Sequence, residues 1–214
     1  MSHARDERLA LCRLLVQVGP DAPTKCAGWT TRDLAAHLVM RERRPDAAIG
    51  IAGPLRGYTE GLRVRTRDGT PYQRLVEMLA QGPPVWTPWG AIPGMDANLN
   101  LVEFFVHHED VRRAGPDWHP RDLVPDLERA LWSRLRMARL VLRRAPTGVR
   151  LRWSAVSRPD GPAQVAHQAE PMVTVAGSPA ELTLWALGRT SVARIEYTGD
   201  DAAVTRLRSA SWSL

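Results

Sequence analysis

Between Met95 and Ala114 the chain reads MDANLNLVEFFVHHEDVRRA, in which Asp96, Asn100, Glu103, His107 and Asp110 recur at intervals of three and four. At 3.6 residues per turn these five fall on one face of a helix. Leu99, Val102 and Val106 flank the stripe, so it does not point straight into water. Glu103 and His107, a carboxylate and an imidazole four residues apart, converge on one point above the helix, and such convergence is what a divalent cation requires. A catalytic zinc-type site takes three protein ligands and keeps one position open. His37, in TRDLAAHLVM among Leu34, Ala36 and Leu38, is the third candidate, since metal sites in helical bundles are built from inward side chains on facing helices. The same spacing also suits a Glu–His pair on a half-wet face, so both readings stand at this level.

Other groups have narrower roles. Asp110 sits one turn beyond His107, where it can accept a ring N–H and fix the tautomer, or else pair with Arg112 or Arg113. His108 points about 100 degrees away from His107 and is no ligand in this arrangement. Asp96 and Asn100 can floor a pocket, and Asp96 can equally cap the helix. Cys12 and Cys26, the only cysteines, form no CxxC pair and read as small buried apolar side chains. Trp29, Trp86 and Trp89 lie in loops, able to line a pocket mouth but better suited to packing. His3, His119 and His167 have no partner at a useful spacing. Neither a P-loop, nor a GxGxxG turn, nor a GxSxG elbow is present.

The bulk numbers bound the class. A chain of 214 residues with 44% hydrophobic and 24% charged residues can bury a sizeable core. A net charge of +6 and a pI near 10.3 invite a nucleic-acid reading. The distribution argues against it: Lys25 is the sole lysine among 29 cations, and the arginines are scattered among 23 acids. Even the densest cluster, RLRMARLVLRR, spaces Arg136, Arg139 and Arg143 as a solvated helix face does. No apolar run is long enough to span a bilayer, and MSHARDERLALCRLLVQVG places charges where an export signal needs an apolar core, so the cytoplasm is the expected location.

Among the elements that must hold these residues, residues 4–18 carry Leu9, Leu11, Leu14, Leu15 and Val18 at helical intervals before Gly19-Pro20. In GWTTRDLAAHLVMRERRP, Thr30 and Asp33 form a capping arrangement, Leu34, Leu38 and Val39 supply the buried stripe, and Pro45 closes the helix. Pro54 to Gly69 reads as a connection with a single helical turn. A helix follows with Thr70 as cap, Pro71 at its first position and Leu75, Val76 and Leu79 inside, then one over 95–114 and one over 124–144. After Pro146 the pattern alternates: GVRLRWSAV, AQVAHQAE, PMVTVAG and VARIEYTGD read as strands, SPAELTLWALGR as a helix capped by Ser178, and DAAVTRLR as a short closing helix. The expected fold is α+β: an antiparallel four-helix bundle over 1–145 and a small α+β domain over 146–214.

With these residues in view, GWTTRDLAAHL followed by NLVEFFVHHEDVRRA resembles the paired motif of the DinB-like metal-binding four-helix proteins, and more closely the mycothiol-dependent maleylpyruvate isomerase group of actinobacterial proteins. The segments VTVAGSPAELTLWALGR and ARIEYTGDDAAVTRL resemble that group's C-terminal domain, which is likened to sterol carrier proteins. The resemblance implies a divalent ion, most often Zn²⁺, held by His37, Glu103 and His107. It further implies a cytoplasmic enzyme that activates a low-molecular-weight thiol such as mycothiol for transfer to, or isomerisation of, a small electrophile. Arg112 or Arg113 would bind a carboxylate of thiol or substrate. The expected partners are small molecules, with no nucleic acid or membrane, and the chain a monomer or homodimer. A hydrolase activating bound water and a non-enzymatic metal-binding or regulatory protein remain as alternatives.

Overall fold

The structure is a computed structural model that describes residues 2–44, 56–87, 95–154 and 161–210, with the backbone alone for 56 and 95–99. The chain is α+β and divides into two compact units, Met1–Pro120 and Arg121–Leu214.

In the first unit the described elements are α1 (His3–Val18), α2 (Thr31–Arg43), α3 (Arg56–Gly69), α4 (Tyr72–Gln81) and α5 (Met95–Arg112). Helix α1 packs on α5 and α4, and α2 packs on α3 and α4. Leu11, Leu15, Leu34, Leu38, Leu75, Leu79 and Phe104 share one core. The buried side of α1 is not wholly apolar: Val18 is exposed, while Glu7 and Arg8 are buried. Those charges are tolerated because each finds a partner, Glu7 on His108 at 2.9 Å and Arg8 on Glu42 at 2.5 Å, with the Arg8 guanidinium 4.6 Å above the Phe104 ring.

Helix α2 begins with the expected box: the Thr30 side chain accepts from the Asp33 backbone N–H, and the Asp33 side chain accepts from the Thr30 N–H. Its end at Arg43 precedes Pro45, which lies outside the described residues. The stretch expected to be a connection is instead helix α3. Gly57 and Gly61 give it poor intrinsic propensity. Tertiary packing compensates, as Leu62 buries against Met40 of α2 and Arg63 reaches Asp33. At α4, Pro71 is itself the cap residue, one position later than the expected Thr70 cap.

The second unit contains α6 (Pro125–Arg134), a 3₁₀ turn (Leu135–Met137), α7 (Ala138–Leu142), β1 (Gly148–Trp153), β2 (Ala163–His167), β3 (Met172–Gly177), α8 (Pro179–Ala186), β4 (Glu196–Thr198) and α9 (Asp201–Ser209). The single helix expected over 124–144 is thus interrupted, with Ala138 N bonded three residues back to Leu135 O. Arg136, Arg139 and Arg143 are exposed, while Leu135, Ala138, Leu142 and Ala145 join the core of the following sheet. That packing is why the compact units divide at Pro120, ahead of the 145/146 division read from composition. The sheet order is β2-β1-β3-β4, with β1 and β3 parallel and both outer pairs antiparallel. Val149 and Leu151 of β1 and Val173 and Val175 of β3 are fully buried at alternate positions. Helix α8 is buried along its whole length, consistent with its nearly uninterrupted apolar sequence.

Candidate metal centre

Two helices and a loop of the first unit build the site. Helix α2 presents His37, which lies one turn from the apolar stripe of Leu34 and Leu38 and is partly open to solvent. Helix α5 presents Glu103 and His107 one turn apart, and both imidazoles approach the same carboxylate oxygen. Glu103 Oε1 lies 3.3 Å from His37 Nε2 and 3.3 Å from His107 Nε2. The donor atoms of His37, Glu103 and His107 all fall within 4.8 Å of one another, and among the described residues no fourth His, Cys, Asp or Glu joins that group.

The spacing bears on what the cluster can hold. Charge-assisted hydrogen bonds from a ring nitrogen to a carboxylate close to about 2.7–2.9 Å. The other nitrogen of His107 does this, with Nδ1 at 2.9 Å from Asp110 Oδ2. The two contacts to Glu103 are longer, and they match the edge of a tetrahedron whose corners lie about 2.05 Å from a central zinc, which is about 3.3 Å. Two imidazole nitrogens and one carboxylate oxygen are also a donor set that suits zinc and leaves a fourth position open. The residues present therefore fit a divalent ion.

Electrostatics polarise the cluster. Burial disfavours a charged His107, but hydrogen bonds to Asp110, Cys26 and Glu103 outweigh it and hold its pKa well above the ordinary value. Burial likewise opposes ionisation of Glu103, yet His107, His37 and Arg41 hold its carboxyl well below the carboxylate range. His37 moves the other way: burial lowers its pKa and the bond to Glu103 offsets only part of that. The two histidines of the cluster thus differ in character: burial disfavours the charged form of His37, while His107 is held between two carboxylates.

Asp110 is buried, and its Oδ2 is shared between His107 Nδ1 and the Cys26 thiol at 3.2 Å. Arg112 and Arg113, expected to bind a carboxylate of thiol or substrate, are both held by Glu109, at 2.9 Å and 2.6 Å. Arg113 is 1% exposed and stacks over Trp118. Arg112 also donates to the His119 carbonyl. Among the described residues a cation that does touch the cluster is Arg41, whose Nε lies 3.5 Å from Glu103 Oε1 and whose guanidinium donates to Asn100. Arg41 follows His37 by four residues, so helical periodicity on α2 was the signal that could have found it. Asn100 is buried beside it, and the side chain of Asp96 lies outside the described residues.

In the loop between α1 and α2, sequence reasoning named Cys26 and Trp29 but did not place either beside the cluster. Cys12 is the expected small buried side chain, with burial pushing its thiol up to about 11. Cys26 is not: it is half-buried and lies against Asp110 and His107. Trp29 packs on His37 with ring centroids 5.1 Å apart, and the Arg63 guanidinium lies over the Trp29 ring at 4.9 Å from its centroid. Trp86 is exposed, and Trp89 lies outside the described residues. His108 is turned to Glu7 and takes no part in the cluster.

Residues 1–67 match the family model described as the mycothiol maleylpyruvate isomerase N-terminal domain, a DinB-like family domain. The match includes His37 and the GWTTRDLAAHL segment, while Glu103 and His107 lie beyond it. No curated protein and no solved structure matches the chain. Among the described residues no helix is long and apolar enough to cross a membrane.

Proposed function

We propose that the chain is a divalent-metal-dependent enzyme that activates a low-molecular-weight thiol, mycothiol or a close chemical relative, for transfer to or isomerisation of a small electrophile. The observation that supports it most is the gathering of His37 Nε2 and His107 Nε2 at 3.3 Å around one oxygen of Glu103. The N-terminal family match adds the thiol class to that geometry. His37, Glu103 and His107 would hold the ion, and Zn²⁺ is the ion that the donor set suits best. When bound, such an ion lowers the pKa of a coordinated thiol and so supplies a nucleophile near neutral pH.

The chain's own groups do the rest. Asp110 accepts from Nδ1 of His107 and directs the Nε2 lone pair towards the cluster. Trp29 packs against His37 and restricts its ring. Arg41, beside Glu103, adds positive charge where an anionic thiolate or a carboxylate would approach, the part expected of Arg112 and Arg113. Helices α1, α2, α4 and α5 are read as the four members of a DinB-like bundle, with α3 packed on α2.

A hydrolase that activates bound water would use the same ligands, and a non-enzymatic protein would use the ion as a staple. Three donors rather than four weigh against the staple, because structural zinc sites are closed by four protein ligands. The test is the metal content of untagged protein expressed with ample zinc, for wild type and His37→Ala, followed by turnover of a small electrophile with and without added mycothiol. About one divalent ion per chain, lost in the variant, together with thiol-dependent turnover, is the expected result. Wild-type protein devoid of metal would overturn the ligand set, and turnover that ignores thiol would favour the hydrolase.

A further inference from the structure

The α1–α2 loop reaches both histidines of the cluster from behind. Its own bonding makes it a defined wall: Thr24 Oγ1 donates to the Trp29 carbonyl at 2.9 Å and accepts from Cys26 N at 3.2 Å, and Trp29 N donates to the Cys26 carbonyl at 3.0 Å. Gly28, at φ +76, takes the left-handed conformation within this turn. Lys25 N donates to the Asp110 carbonyl at 3.0 Å and ties the wall to α5.

Cys26 Sγ lies 3.2 Å from Asp110 Oδ2 and 3.8 Å from His107 Nδ1. Both contacts are on the Nδ1 side of the His107 ring, whereas Glu103 Oε1 meets the ring at Nε2. Sulfur therefore sits across the imidazole from the place where Glu103 and His37 gather. An ionised carboxylate only accepts hydrogen bonds, so the ring N–H and the thiol S–H can both donate to Oδ2. Each donor fixes the oxygen that the other uses.

We propose that Cys26 is a positioning residue of the metal centre: its S–H holds the Asp110 carboxylate on Nδ1–H of His107, leaving Nε2 as the ligand atom, and its sulfur stays off the ion. This rests on the reading of His37, Glu103 and His107 as ligands. A serine at this position keeps a donor of similar reach, whereas an alanine removes it. The thiol acts through Asp110, so its effect should vanish when Asp110 can no longer play its part.

The experiment is Zn²⁺ affinity, measured by competition with a chromophoric chelator, for wild type, Cys26→Ser, Cys26→Ala, Asp110→Asn and the Cys26→Ala/Asp110→Asn pair, with near-UV absorbance of the Co²⁺ form. Cys26→Ala should bind Zn²⁺ about tenfold more weakly, the low end of what loss of an outer hydrogen-bond partner costs a metal site. Cys26→Ser should stay near wild type, and the alanine should add almost nothing in the Asp110→Asn background. The Co²⁺ protein should lack a sulfur-to-cobalt charge-transfer band. Unchanged affinity in Cys26→Ala, full additivity of the two substitutions, or a charge-transfer band that disappears in Cys26→Ala would each overturn the proposal. Wild-type protein that binds neither ion would instead sink the ligand reading beneath it, so the two failures are distinguishable.

Discussion

Replacing Asp33 by Asn should weaken the first unit by an amount that depends on pH. Asp33 is 6% exposed and anchors three elements at once. Its Oδ2 accepts from the Thr30 N–H at 3.0 Å and hydroxyl at 2.9 Å, while Oδ1 accepts from Arg63 and, at 3.0 Å, from Arg67. Burial works against ionisation, but the bonds from Thr30, Arg63 and Arg67 outweigh it and take the carboxyl from 3.8 down to about 2. That displacement corresponds to about 2 kcal/mol of stability. Because the folded-state value is the lower one, the contribution is complete above the unfolded value near 4 and is lost as pH falls towards 2. Urea unfolding of wild type and Asp33→Asn at pH 7, 5, 4 and 3 follows this group together with the response of Glu60 and Asp68, which share Arg63 and Arg67 with it. The difference in unfolding free energy should be about 2 kcal/mol at pH 7 and shrink steadily below pH 4. A difference that is constant from pH 7 to pH 3, or below about 0.5 kcal/mol at pH 7, would refute the reasoning.

Two further outcomes follow from the same structure. Phe104 is fully buried beside Glu103 on α5, so Phe104→Ala should cost about 3–5 kcal/mol by leaving a cavity under the helix that carries two of the candidate ligands, measured as a fall in the urea midpoint. Zinc held at about a hundredfold excess over its dissociation constant should add about 3 kcal/mol to stability and raise the unfolding midpoint of the first unit by roughly 8–15 °C. A chelator should reverse that rise, and calorimetry of His37→Ala should show no zinc-dependent rise.

Part of this protein was legible from residue order alone. The box at Thr30 and Asp33, the apolar stripes of α2 and α4, the helix over Met95–Arg112 and the alternating strands β1 and β3 are local patterns, each written into a window of a dozen residues or fewer per repeat. Glu103 and His107 needed only helical periodicity, because four residues along one helix set their separation. Helix α3 was not legible: its glycines and arginines argue for a loop, and burial of Leu62 and pairing of Arg63 overrule them. Nor could composition show that the segment after Arg121 shares a core with the sheet, since Leu135 and Leu142 are equally suited to a bundle.

The site divides in the same way. Spacing on α5 determined that a carboxylate and an imidazole would converge, and spacing on α2 put Arg41 on the side of His37. Sequence could not say that His37 Nε2 would arrive 3.3 Å from Glu103, that Glu109 would hold Arg112 and Arg113, or that Cys26 would stand behind His107. Those are contacts between residues 66 and 81 positions apart, or choices among competing partners on one helix. Periodicity specifies which residues share a face, but the partner a face meets is decided by packing of the whole unit.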